Sequence, residues 1–391
     1  MFERRSFIKA LSLLAVAGFV NPKHLLGYTG DSALESVSKR EALPTVLRVF
    51  NKKATSWDYT SAPYVDFIDY NELKKMLSAA LIEYTGTNRT SEAWRRILPG
   101  YITGKKIAIK PNLNNTGIGY SKAIMTSPQL ISAVIEGLIE AGFSVQDIIV
   151  YDLTARVNKE LAQWLNVFKV KTIFRPKYDG LLEKLYSRLH LAPQDQDTNA
   201  PIRMRSTITD DLGDGVTCYI PNVLTHADYL INLPVFKAHQ FVLQSGALKN
   251  HFGTVRFSNH NAYPVVLHGG DIEKNIVDIN SNVHIARKTS IIIADCLYGA
   301  PCFTRGAHGR VPTRWRTLST GPSPNSLFIS SDPVALESVL ADYIIREQEA
   351  AGYNPYSHQY LHDAMELGLG VHEHRGQNGR YEAIDFREVM V

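Results

Sequence analysis

The chain predicts a layered α/β fold, a mostly parallel sheet with helices on both faces. Short apolar strands recur along it, amphipathic helical stretches alternate with them, and polar residues cluster directly after the strands. The first strand reads as residues 105–110, an apolar run closed by Pro111. Ser127 followed by Pro128 reads as an N-cap with proline in the first turn. Leu130, Ile131, Val134, Ile135, Leu138 and Ile139 then recur at helical spacing, and Gly142 can close that helix. Residues 148–151 form the next strand, so a parallel pair with a right-handed crossover is expected. Residues 228–233 repeat the strand pattern. Residues 290–294 do so as an unbroken apolar run, which suits a strand covered on both faces. Residues 326–330 make another strand, and Asp332-Pro333 opens a helix with Leu336, Val339, Leu340 and Tyr343 on one face. A last helix is expected at about 357–367. Residues 155–220 lack the alternation and read as an irregular excursion or subdomain.

The chemistry sits directly after the strands. Lys110, Asn112, Asn114 and Asn115 come after the first, Asp152 after the second, Lys237 and His239 after the third, Asp295 after the fourth and Asp332 after the fifth. Ligands of open parallel sheets bind beyond the carboxyl ends of the strands, so these side chains are expected along one edge. Six of the 13 histidines fall between His226 and His284, a stretch that also holds Lys249 and Asn250. Imidazole ligates metals and acts as acid or base near neutral pH, which singles out His239 and His268. The expected cleft uses Lys110, Asn112, Lys237 and Asn250 to hold an anionic substrate. It uses His239, His268 and Lys249 for catalysis, and Asp295 and Asp332 for a divalent metal. His358 and His362 lie four apart, on one side of the last helix. Gln359 stands where a zinc-protease motif has glutamate. Gly117 and Gly119 lack the lysine of a phosphate loop.

The N-terminus has a different character. Arg4 and Arg5 are followed by Ser6, Phe7, Ile8 and Lys9, which resembles the twin-arginine export consensus. The apolar run 10–20 is shorter than the ~20 residues a membrane-spanning helix needs, and Ala15 to Ala17 offers a small-residue cleavage site. Residues 1–30 are therefore expected to be a signal peptide, 31–45 a polar linker and 46–391 the α/β domain. The expected location is periplasmic or otherwise exported, with the twin-arginine machinery as partner and no stable membrane span after cleavage. Twin-arginine substrates generally travel folded, often with a cofactor inserted, which is what that resemblance implies. The leader also carries the excess charge. Arg4, Arg5, Lys9 and Lys23 against Glu3 leave 38 basic and 37 acidic residues in the remainder. A nearly neutral domain argues against a broad nucleic-acid surface. Cys218, Cys296 and Cys302 form no CxxC pair, so cysteine-ligated zinc and ferredoxin clusters lack their ligands. Cys296 and Cys302 flank a Gly299/Pro301 turn, where either a disulfide or buried thiols would fit.

Seven pieces in order resemble the domain of unknown function 362 family. They are 109–112 (Ile-Lys-Pro-Asn), 126–128 (Thr-Ser-Pro), 232–239 (Asn-Leu-Pro-Val-Phe-Lys-Ala-His), 246–253 (Gly-Ala-Leu-Lys-Asn-His-Phe-Gly), His268, 293–295 (Ile-Ala-Asp) and 331–335 (Ser-Asp-Pro-Val-Ala). The resemblance spans about residues 105–370. Relatives often carry an iron–sulfur ferredoxin segment, which this chain lacks, so no intrinsic cluster is expected. The resemblance supports the domain and the chosen positions and implies no reaction. Two functions stay open on the residues: an enzyme acting on a small anionic substrate, with or without a metal, and a non-catalytic exported protein that binds a ligand or carries a redox cofactor.

Overall fold

The computed structural model describes residues 42–58, 64–113, 124–154, 159–174, 195–210, 212–258, 264–302, 314–318, 321 and 323–391. The expected leader, most of the expected linker, Asn114, Asn115 and the glycines at 117 and 119 lie outside the described residues.

The strands, in chain order, are β1 (Thr45–Phe50), β2 (Ile107–Pro111), β3 (Ile148–Asp152), β4 (Lys171–Phe174), β5 (Gln196–Ile202), β6 (Cys218–Pro221), β7 (Tyr229–Leu233), β8 (Val235–Ala238), β9 (Gln244–Ser245), β10 (Arg256–Phe257), β11 (Thr289–Ala300), β12 (Ser326–Ser330) and β13 (Asp385–Met390). Ten of them make one sheet in the order β13-β1-β12-β11-β7-β2-β3-β4, with β8 beside β11 and β9 beside β8. β10, β6 and β5 form a separate three-stranded sheet. Along the main path every pairing is parallel except those of β12, which is antiparallel to both β1 and β11.

The alternation of strand side chains divides the interior into two cores. Ile107, Ile109, Val150, Ile231 and Ile293 face the helices Tyr70–Thr85, Thr90–Ile97 and Pro128–Glu140. Ala108, Ile149, Leu230, Ile292 and Phe328 face the helices Ile272–Asn280, Pro333–Ala350 and Tyr360–Glu366. β2, β3 and β7 are buried at every residue, as strands covered on both faces must be. The helix after β2 starts as its sequence predicts: Ser127 Oγ accepts from Leu130 N at 3.3 Å, and Pro128 occupies the first turn.

Several boundaries differ from expectation. The stretch 155–220 divides in two: the helix Lys159–Asn166 and β4 extend the main sheet, while β5 and β6 build the small one. β11 runs on to Ala300. At Gly299 the backbone has φ 62°, and a Cβ there would sit 2.1 Å from Phe236 O, so only glycine fits that bend. Cys218, Cys296 and Cys302 are all buried. The direction of β12 corrects the expected gathering of strand-end residues, because its carboxyl end lies on the opposite edge from those of β2, β7 and β11. Asp332 is therefore at the β1 start, where Ser330 Oγ donates to Thr45 O at 2.8 Å. Residues Leu43–Val391 form one compact unit. No helix among the described residues is long and apolar enough to cross a membrane.

Candidate functional site

The carboxyl ends of β7 and β11 carry the polar cluster. Pro234 interrupts β7, since proline has no N–H for the ladder, and its carbonyl accepts from Asp295 N at 2.8 Å. The chain resumes as β8 beside β11, bringing in Lys237, and turns at His239 into β9. A tight turn at Lys249–Thr254 and another at Pro264–His268 supply Lys249 and His268.

Four of the expected residues meet here. Lys249 Nζ donates to His268 Nε2 at 3.0 Å. The His239 and His268 rings stack with centroids 5.3 Å apart and planes 19° apart. Lys237 Nζ donates to Ile124 O at 2.9 Å. Phe252 lies under the Lys249 ammonium at 4.4 Å and edge-on to His268 at 5.4 Å.

The partners assign the two ring protons. His268 Nδ1 faces Val265 O at 3.2 Å, and a carbonyl only accepts, so the proton is on Nδ1 and Nε2 offers a lone pair to Lys249. His239 Nδ1 accepts from Phe241 N at 3.2 Å, so its proton is on Nε2. The stacked rings thus carry opposite tautomers.

Burial dominates the electrostatics. It pushes the Lys237 amine down to about 7, and the charge of Lys249 adds to that. It also pushes Lys249 down to about 7, against the opposing charge of Glu337. His268 falls to about 4 through burial and then Lys249. His239 is pushed far below the usual histidine range by burial, with Lys249, His268 and Lys237 adding to it. At neutral pH both rings are neutral and both amines are poised between their two states.

Glu337, which the sequence pattern did not single out, braces this cluster from behind. It is fully buried inside the helix Pro333–Ala350. It accepts from Leu248 N at 2.5 Å, from Tyr360 OH at 2.5 Å and from Gln244 Nε2 at 3.4 Å. Burial raises its carboxyl to about 7. Gly246 packs so closely that a Cβ would lie 2.6 Å from the Glu337 carboxyl carbon. The signal for it is that this helix carries the small residues Ala335, Ser338 and Ala341 among its apolar ones and is buried on most sides.

The other expected residues have different surroundings. Lys110 is fully buried, and its ammonium donates to Asp152 Oδ2 at 3.0 Å, Pro111 O at 2.8 Å and Asn250 Oδ1 at 3.4 Å. Asn250 Nδ2 donates back to Lys110 O at 3.0 Å and to Asn232 Oδ1 at 2.7 Å. Asn232 Nδ2 reaches Ala247 O at 3.0 Å and His251 Nε2 at 3.3 Å. Lys110 and Asn250, expected on the substrate, are instead saturated by one another and their neighbours. Gly253 seals the pair, since a Cβ there would lie 2.8 Å from Lys110 Nζ. Asn112 is buried, its backbone N–H donating to Thr126 Oγ1 at 2.8 Å.

The two carboxylates expected at a metal hold helix starts. Asp295 Oδ2 accepts from Ser127 N at 2.8 Å and Ser127 Oγ at 2.7 Å, and Oδ1 from Leu297 N at 3.1 Å. Asp332 Oδ1 accepts from Val334 N at 2.9 Å and Ala335 N at 2.8 Å, and Oδ2 from Val371 N at 3.0 Å. These bonds leave the pair on opposite edges, each serving backbone donors.

Residues 107–342 match the family model described as "Domain of unknown function (DUF362)". No curated protein sequence matches the chain. Among solved structures it is similar to the lactate racemase apoprotein from Thermoanaerobacterium thermosaccharolyticum, with a TM-score of 0.37 and 12% identity over 74% of this chain. The chain spans 55% of the length of that protein.

Proposed function

The chain belongs to the DUF362 family, whose description names no reaction, and from that premise we propose an enzyme that removes a proton from a small anionic substrate held between Lys237 and Lys249. The observation that carries this reading is the pair of stacked imidazoles in opposite tautomers beside two amines poised near neutrality. An anion at Lys237 offsets the burial that depresses that amine and restores its charge, while Lys249 reacts from its unprotonated form. Lys237 then holds the anionic group. Lys249, with a proton affinity matched to neutral pH, acts as the base, and the His268 lone pair orients it by accepting one of its N–H bonds. His239, a neutral ring with its proton on Nε2, donates a hydrogen bond to the oxygen on which charge develops, as a neutral imidazole can at a buried site. Export through the twin-arginine pathway belongs to the same reading, supported by Arg4, Arg5 and the short apolar run after them.

The test is solvent exchange. Small carboxylates and phosphate esters incubated with the full chain in deuterated water, followed by NMR, should show label at the carbon next to the anionic group in at least one compound. Lys249→Met and His239→Phe should each lower that rate by about 10²–10⁴-fold. Exchange at the wild-type rate in Lys249→Met would overturn the assignment. Binding without exchange in the wild-type chain would favour the non-catalytic ligand-binding reading instead.

A further inference from the structure

Four histidines from two segments converge on the helix Pro333–Ala350, and none of the four belongs to the proton-transfer cluster. His358 lies just before the helix Tyr360–Glu366 and His362 within it, and His372 and His374 belong to the segment after it. Ring centroids are 4.4 Å apart for His362 and His372, 5.0 Å for His358 and His374, 5.0 Å for His372 and His374, and 6.3 Å for His358 and His372. Four imidazoles around a tetrahedral ion with metal–nitrogen bonds of ~2.0–2.1 Å would have centroids roughly 5 Å apart and ligand nitrogens roughly 3.3 Å apart. The observed spacings bracket the first figure. The second is close to the 3.0 Å between His358 Nε2 and His374 Nε2, a hydrogen bond whose proton an ion bound by both nitrogens would displace.

The rings are also oriented as ligands. Ser338 Oγ donates its one proton to Val334 O at 2.8 Å, so at 2.7 Å from His372 Nδ1 it can only accept. That fixes the His372 proton on Nδ1 and leaves a lone pair on Nε2. His372 is only 8% exposed, and its Nε2 is buried without a hydrogen-bond partner. A bare, buried acceptor of this kind calls for an explanation. His374 repeats the pattern, with Nδ1 donating to Asp342 Oδ1 at 2.7 Å, the carboxylate–histidine arrangement that commonly backs a metal ligand. Ser338 and Asp342 lie one turn apart on the same helix, so one surface aims both rings.

We propose that His358, His362, His372 and His374 bind one divalent transition-metal ion of the zinc, nickel and copper class, with Asp342 and Ser338 as positioning residues. An all-imidazole donor set suits these ions and disfavours magnesium and calcium, which take oxygen ligands. As the rings stand, no group of three or more His, Cys, Asp or Glu side chains among the described residues is placed to hold a metal ion. Closure requires ring rotation, chiefly of His362, which is exposed and unconstrained by the sheet. The bound ion would tie the segment carrying His372 and His374 to the helix Tyr360–Glu366.

The probe is Zn²⁺, with Co²⁺ as its spectroscopic substitute, added to the tag-free full chain after chelator treatment and dialysis. The expected result is one Zn²⁺ per chain by calorimetry, with Kd on the order of a micromolar or tighter. Co²⁺ should give the visible absorption of a tetrahedral nitrogen site, and zinc should raise the Tm. His362→Ala, at an exposed position that leaves the fold intact, should weaken Zn²⁺ binding at least tenfold, as should His374→Ala. Asp342→Asn should weaken it about 10–100-fold. His226→Ala, at an exposed histidine outside the cluster, should bind as wild type does. Absence of stoichiometric Zn²⁺ binding, or unchanged binding in both His362→Ala and His374→Ala, would overturn the proposal. Neither result bears on proton exchange at Lys249.

Discussion

Lys237 and Lys249 lie in a setting that strips each amine of part of its proton affinity, down to about 7. Below that pH both are ammonium ions and attract an anion. Above it they lose their protons and the attraction goes with them. Binding an anion must therefore take up protons, and affinity falls with rising pH, by about tenfold per pH unit for each lysine that has to be recharged. Sulfate, which does not titrate in this range, is the suitable probe. Its affinity measured by calorimetry should drop steadily from pH 7 to 9 in the wild-type chain and drop less steeply in Lys237→Met. A flat profile would mean that the lysines do not hold the anion. Much of this cluster was legible from residue type and place alone: Lys237, His239, Lys249 and His268 follow strands or sit in the histidine-rich stretch. Burial was not legible. Lys110 follows a strand in the same way, yet it is fully enclosed with Asp152, and neither its spacing nor its neighbours announce that. Glu337 was hidden for the opposite reason, since a glutamate in a helix ordinarily marks the solvent face.

At the scale of elements, local signals read well and direction did not. Ser127-Pro128 and Asp332-Pro333 each begin a helix where their chemistry says they should. A strand's two-residue period is the same in either direction, so 326–330 could be recognised as a strand but not as an antiparallel one. β13 went unrecognised because it is an edge strand with Arg387 and Glu388 exposed along it, a composition that protects an edge and resembles a loop. The direction of β12 has a consequence for Asp332. Its carboxylate caps the helix Pro333–Ala350 and also receives Val371 N, far from the reactive edge of the sheet. Asp332→Ala should thus cost about 1–2 kcal/mol of stability, seen as a lower denaturant midpoint. Sulfate affinity and proton exchange should stay at wild-type levels. A large loss of exchange with unchanged stability would return Asp332 to the site.

For the whole molecule, the parallel α/β class was legible because its strand–helix units are local, whereas the closure of the sheet was not because it joins distant segments. β1 has two neighbours, β12 and β13, and both come from the final part of the chain. Thr45 Oγ1 donates to Asp385 Oδ2 at 3.1 Å across 340 residues, and Arg48 bridges Ser326 and Glu388. Such long-range pairing cannot form until β13 has been made, so the sheet is completed only after nearly all of the chain is synthesised. An export route that threads an unfolded chain would have to keep this sheet from closing. A route that carries folded proteins has no such conflict, and we propose the Arg4-Arg5 pair as the address for that route. The full chain should therefore be recovered outside the cytoplasm of a host with a working twin-arginine system. Arg4→Lys together with Arg5→Lys should leave it inside, folded and protease-resistant, because the substitutions lie outside the compact unit Leu43–Val391. If the double variant is exported as efficiently as the wild-type chain, the arginine pair is not the address.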